Sequence, residues 1–162
     1  MTKDLIPQSS QSDGRWKIGQ LAANVDATSA AIVAAGKAMT YSFTPGGFDW
    51  QTAQAEVVDP RLTLETDLSR PGKKKETLNL NYVDSENPGS AAVLLTEGSE
   101  GQFVVRRGVD NAEDWDEGQK VDIITYVLGA QRPDAPTENG IDTISQQAFI
   151  TNITQRKVAL LA

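Results

Sequence analysis

The sequence predicts a mainly β domain: an antiparallel sandwich or barrel of about seven strands, with one short flanking helix, a long loop and an N-terminal arm. Three observations predict it. Thr77–Val83 alternates, with Leu78, Leu80 and Tyr82 on one parity and Thr77, Asn79 and Asn81 on the other, which is the period of a half-buried strand. Val121–Leu128 is apolar on both parities, Val121, Ile123 and Val127 against Ile124, Tyr126 and Leu128, as in a central strand covered on each side. Glycine and proline punctuate the chain between such runs, at Pro45-Gly46-Gly47, Pro71-Gly72, Pro88-Gly89 and Pro133 to Pro136.

Composition narrows the chemistry. A chain of 162 residues suits one domain with a real core, and 15–162 is assigned to it. Residues 1–14 are polar, with no apolar segment of the kind a secretory leader needs, and are expected to form a flexible arm. There is no cysteine, which removes disulfides, thiolate nucleophiles and cysteine-zinc sites. There is no histidine either, so the commonest general base and metal ligand are missing, and Ser-His-Asp and Cys-His catalysis with them. No apolar run approaches the roughly 20 residues of a membrane span. The net charge of −7 argues against gripping a duplex, because affinity for nucleic acid comes mainly from lysine and arginine. An acidic surface remains compatible with DNA that must pass without sticking.

In chain order, Trp16 and Ile18 open the first strand or serve as apolar anchors for a neighbouring chain. Asp26–Gly36 carries a capping Asp or Thr, an alanine-rich middle and a stop glycine, a short helix or helical turn. Thr40–Phe43 alternates as a strand. After the break at Pro45, Phe48–Pro60 has sparse apolar residues and no clear period, so Gly46 to Pro60 is expected to be a long surface loop. Its Phe48 and Trp50 either anchor an interface or tuck back onto the domain. Leu62–Leu68 and Glu76–Val83 flank the turn Ser69–Lys73, giving a hairpin with Lys73, Lys74 and Lys75 at its tip. Those lysines are a solvated turn that resists aggregation, or a contact with an acidic neighbouring copy.

The stretch Glu76–Arg107 then reads strand, helix, strand. Asn87 is placed to cap the helix, Pro88 suits its first position, Gly98 suits its end, and Ala91, Leu94 and Leu95 form one apolar stripe for a sheet. Phe103 to Val105 is the returning strand. Gly108–Gly118 clusters Glu113, Asp114, Asp116 and Glu117 around Trp115. The spacing does not match an EF-hand, and sequence neighbours on a loop rarely form a glycosidase pair, so a solvated acidic loop with Trp115 folded inward is the default. Gln131–Gly140 is a connection. In Ile141–Ala162, Phe149 and Ile153 share one parity while Val158 and Leu160 take the other, which requires a bulge or bend, with the last residues built into a sheet.

Several stretches taken together resemble the major tail tube protein of long-tailed bacteriophages, particularly those of actinobacterial hosts. The likeness runs from about Ala27 to Ala162 through ATSAAIVAAG, the GGFDW loop, DPRLTLETDLSRPGKKKETLNLNYV, LLTEGSEGQFVVRRGV, DWDEGQKVDI, AQRPDAP and ISQQAFITNITQRKVALLA. Order and spacing carry it, since no single segment is a strong motif. The alanine-rich early segment and longer N-terminal lead depart from the family pattern. The resemblance implies a β-sandwich with a flanking helix, hexameric rings stacked into a hollow tube, an acidic lumen for DNA, and a long loop and terminal arm reaching the adjacent ring. It implies no catalytic residue, cofactor or metal. Its partners would be further copies of the chain, tape measure, tail terminator and tail tip proteins, and phage DNA passing without sequence-specific binding. The virion tail would be its location, after assembly in the host cytoplasm and away from any membrane.

On this reading the candidate contacts between subunits or rings are Trp16, Ile18, Phe48, Trp50, Val57, Lys73, Lys74, Ile124 and Tyr126. The candidate lumen or solvent carboxylates are Glu65, Glu76, Glu113, Asp114, Asp116 and Glu117, with the polar parity of Asn79 and Asn81 facing lumen or neighbour. A minor tail or carbohydrate-binding β domain, recognising a cell surface through Trp50, Phe48 or Trp115, is the alternative. A hydrolase using the acidic cluster is a third class.

Overall fold

The computed structural model describes residues 5–162, and residues 1–4 of the expected arm lie outside them. Residues 5–11 carry no regular structure, and residues 5–15 are exposed. Nine strands follow: β1 Trp16–Leu21, β2 Lys37–Ala38, β3 Phe43–Asp59, β4 Leu68–Val83, β5 Glu100–Arg107, β6 Lys120–Leu128, β7 Arg132–Pro133, β8 Thr143–Ile150 and β9 Gln155–Ala159. Two helices, α1 Ala30–Ala35 and α2 Ala91–Leu94, lie between them. All strands join one hydrogen-bonded path, β2-β1-β5-β6-β8-β4-β3, with β7 added to β8 and β9 to β6, and every strand pairing is antiparallel.

The path closes over itself as a sandwich. Phe48 of β3 meets Phe103 of β5 edge-on at 5.5 Å, although β6, β8 and β4 separate those strands in the ladder. Phe103 also stacks on Tyr126 at 4.2 Å, and Phe43 approaches both Phe48 and Tyr82 edge-on. Leu78, Leu80 and Tyr82 of β4 thereby face Ile18, Phe103, Val105, Ile124 and Leu128 across one core, which α2 closes with Ala91 and Leu95. Burying each large side chain contributes about 1.5–3 kcal/mol. Burial also pushes the Tyr126 hydroxyl up to about 12, so it stays neutral and accepts a bond from Gln20 Nε2.

A second core lies on the other side of β5 and β6. Leu21, Val33, Val104, Val121, Ile123 and Leu160 fill it beneath α1. This is why Val121–Leu128 is apolar on both parities. The N-terminus of α1 is satisfied by the last residues of the chain: Ala30 N–H donates to Leu161 O at 2.7 Å, and Leu161 N–H to Thr28 O at 2.7 Å. Asp26 forms an Asx turn on Thr28, and the N-cap position belongs to Ser29. The parity switch near the end is a real break: β8 stops at Ile150, and β9 runs back along β6 with an irregularity at Asp122, whose Oδ1 accepts the Lys157 N–H.

Three expectations change. Thr40–Ser42 is a turn of 3-10 helix, because the Thr40 hydroxyl takes the Ile18 N–H and competes with a ladder. The helix after β4 is one turn long. Ser90 precedes it, Pro88 lies in the preceding turn, and Asn87 contributes its carbonyl to Ser90 N–H, while Gly98 takes a positive φ beyond it as expected. The largest change concerns Gly46 to Pro60, which is no loop. As far as Asp59 it belongs to the 17-residue β3, paired with β4 from Phe48↔Leu80 to Asp59↔Leu68. The hairpin turn is therefore 60–67, and Ser69–Lys73 lies inside β4. Pro71 is tolerated there because outer β4 pairs only with β3 and the register shifts between Gln54 and Glu56. The break at Pro45-Gly46-Gly47 is a bulge: Gly46 has φ +72°, and a side chain at Gly47 would clash with Asn81 O.

Candidate functional site

The hairpin is the feature the core does not account for. From Gln51 to Lys75 its residues are exposed except for half-buried Asp59 and Gly72, so both faces of this two-stranded ribbon stand in water. That is why its sequence lacks alternation. A lone two-stranded ribbon is marginal in water. This one also displays Val57, Val58, Leu62, Leu64 and Leu68, with Leu62 95% exposed at the turn. Among the described residues Glu65, Asp67, Lys73, Lys74 and Lys75 form no ion pair, and Arg61 pairs with Asp59 at 3.0 Å.

At its root the ribbon is clamped. The Arg156 guanidinium lies 4.7 Å from the centre of the Trp50 ring, donates to Thr52 Oγ1 at 3.0 Å and sits 3.7 Å from Glu76. Glu76 in turn accepts the Thr154 hydroxyl. Beyond Leu78 the second edge of β4 leaves β8, opening a groove of about 860 Å³ whose wall includes Lys74, Lys75, Phe149, Ile150, Ile153 and Arg156. Phe149 and Ile153 are exposed in it.

A second constellation is the acidic loop, organised from beneath by Arg106. This side chain is 0% exposed. Its Nη1 donates to Asp114 O and Gln119 Oε1, and its Nη2 to Asp110 O and Glu113 O, all within 3.0 Å. Burial lowers its pKa, while the carboxylates of Glu113, Asp110 and Asp114 act the other way. A guanidinium remains charged regardless. Trp115 is covered by two cations, Arg106 at 5.1 Å and Lys17 at 5.4 Å, and Lys17 Nζ donates to Glu113 O. The loop therefore turns its carbonyls inward and leaves Glu113, Asp114, Asp116 and Glu117 exposed.

On the outer face of β4 and β8, Asn79 is exposed and Asn81 is not free. Asn81 Nδ2, the Thr143 hydroxyl and the Ser145 hydroxyl all donate to the Asp134 carboxylate, strapping the β7 connection to the sheet. Thr143 chiefly, then Ser145, holds the Asp134 pKa below its ordinary value. A depressed carboxylate contributes stability above its unfolded pKa of about 3.9 and loses it as pH falls through the folded value. Below pH 4, amide exchange at Asp134, whose N–H donates to Thr143 O, is expected to accelerate ahead of β5 and β6. Asp134→Asn should show fast exchange already at pH 7.

The candidate contacts thus separate. Val57, Lys73 and Lys74 are exposed on the ribbon, and Lys73 to Lys75 run along β4 instead of capping a turn. Ile124, Tyr126 and Ile18 are buried in the chain's own core; Ile124 and Tyr126 belong to the two-faced strand because α1 and β4 cover it. Phe48 and Trp16 lie half-buried against the same core, Trp16 under Arg107. Trp50 packs there too. Of the carboxylates, Glu65 is exposed near the tip and Glu76 is engaged at the root. Sequence reasoning missed Arg156 and Asp134, which reach Thr52 and Asn81 far along the chain, and Arg106, whose partners are backbone carbonyls and Gln119 of the loop that follows it.

An exposed β ribbon on a closed sandwich, with sheet edges at β3 and β2 left open, defines a structural subunit built for assembly. Comparison with protein families matches residues 4–162 to the phage tail tube protein family, and the chain belongs to it. It is thus a structural, non-enzymatic component of the phage tail. A search of curated proteins found no match. No helix among the described residues is long and apolar enough to cross a membrane.

Proposed function

We propose that this chain forms hexameric rings that stack into the hollow tail tube through which phage DNA reaches the host. The observation that carries the proposal is the ribbon Gln51–Lys75, too exposed on both faces and too apolar at its turn to serve a monomer. Open edges at β3 and β2 are hazards in isolation and joints in a closed ring, where pairing removes them. The net charge of −7 suits a channel that repels phosphates, an effect that salt screening weakens. Assembly takes place in the host cytoplasm, with tape measure, tail terminator and tail tip proteins as further partners. Recognition of a glycan through Trp50, Phe48 or Trp115 finds no support, because Phe48 packs its ring on Phe43 and Phe103 and cations cover the two indoles.

Negative-stain microscopy of the concentrated protein, alone and with tail proteins, is expected to show rings or tubes. A species that stays monomeric in both conditions overturns the proposal.

A further inference from the structure

We infer that the open pocket beside Tyr41 is a binding site for a neutral saccharide. It lies at the end of the sandwich away from the ribbon, where the 3-10 turn, the end of β4 and the segment leading into α2 meet the acidic loop at Asn111. Its volume is about 550 Å³, the size of a small-molecule site. Tyr41 stands at the rim and is 88% exposed. A single exposed aromatic is ordinary on a protein surface, but this one is held. Asn111 Nδ2 donates to its hydroxyl at 2.5 Å, and Asn111 is itself fixed by its N–H on Gly14 O. A ring fastened at its tip has little conformational entropy left to lose on binding. Its negative π face suits the weakly positive C–H groups along one side of a pyranose.

Polar groups with unspent capacity surround that face. The Asn87 side-chain amide and Asn111 Oδ1 have no partner among the described residues. Ser42 and Ser85 each accept one backbone N–H, from Ala91 and Asn87, so both hydroxyl protons remain available. Neutral donors and acceptors placed together in this way match vicinal hydroxyls, each of which both gives and accepts a bond. Charge is what the pocket lacks. Among the described residues no carboxylate lines it, and its one cation, Lys17, is turned to Glu113 O and the Trp115 ring. Tight capture of an anion calls for more than this engaged lysine. An apolar ligand would leave the amides and hydroxyls without partners. None of these residues belongs to the ribbon, so the site does not depend on the tube-subunit reading.

Saturation-transfer difference NMR observes the ligand and works on free chains and assemblies alike. The probes for the full-length protein are maltose, cellobiose, lactose and N,N′-diacetylchitobiose. At least one is expected to receive saturation, most strongly at its ring C–H protons. Tyr41→Ala should weaken that binding about tenfold and Asn87→Ala about fivefold, with Tm unchanged because both side chains are exposed. Tyr41→Phe keeps the face without the tether and should fall between the parent and Tyr41→Ala. Absence of transfer to all of these sugars overturns the inference. So does transfer that survives Tyr41→Ala and Asn87→Ala, which places the sugar elsewhere. Displacement of the sugar by inorganic phosphate, abolished in Lys17→Gln, overturns it too, because the pocket is then an anion site.

Discussion

Excising the outer ribbon, by joining Thr52 to Glu76 through a two-residue Asn-Gly turn, is expected to leave a folded monomer that forms no tubes. Thr52 and Glu76 are register partners, so the shortened hairpin keeps its pairing and the Asn-Gly turn matches strand twist. Nearly all the removed residues are exposed, and the Trp50–Arg156 contact remains, so the fold should lose no more than about 1 kcal/mol. Urea unfolding and sedimentation would measure the two effects separately. Tubes of normal length from the excised chain would show that the ribbon has no part in assembly.

Arg106→Met should have the largest effect on the fold itself. The substitution keeps much of the volume but removes four hydrogen bonds from a charged donor, leaving Asp110 O, Glu113 O, Asp114 O and Gln119 Oε1 with one other donor each. Hydrogen bonds from a charged donor contribute about 1.5–3 kcal/mol each, and part of this is recovered as the loop opens to water, so a net loss of about 3 kcal/mol is expected. For a chain of this size that lowers Tm by roughly 6–12 °C. Tryptophan emission should shift to the red as Trp115 loses its cover. Arg106→Lys keeps the charge without the planar fork and should fall between. A Met variant as stable as the parent, with unchanged emission, would mean that the guanidinium does not hold the loop.

Legibility in the sequence followed burial. Leu78, Leu80 and Tyr82 announce a strand because one face is dry and the other is not, and Val121–Leu128 announces a central one because two cores flank it. Outer β3 has water on both faces, so no burial pattern marks Gln51–Asp59, and hydrogen bonding to β4 alone makes it a strand. The same lack of contrast hid the true turn. Pro71-Gly72 carries the residues of a turn yet serves as a tolerated irregularity on an edge, while 60–67 turns the chain with a single proline at its start and Thr63 at positive φ. The acidic loop was legible as a loop, with Trp115 folded inward, but its organiser was not, because an arginine at strand spacing looks like a solvent-facing residue. Ile124 and Tyr126 were apolar enough for an interface and proved to be core, a distinction that only the covering elements decide.

The ladder also sets a timetable for the nascent chain. Asp59 finds Leu68 almost at once, whereas Trp16 must wait for Arg107, and α1 for Leu161. Pairings so distant in sequence form slowly. A newly made chain therefore carries its ribbon, open edge and apolar turn included, before the wall that will bear it exists. Lys73, Lys74 and Lys75 along that edge then act as a safeguard during maturation, since their mutual repulsion discourages two unfinished hairpins from zipping together edge to edge.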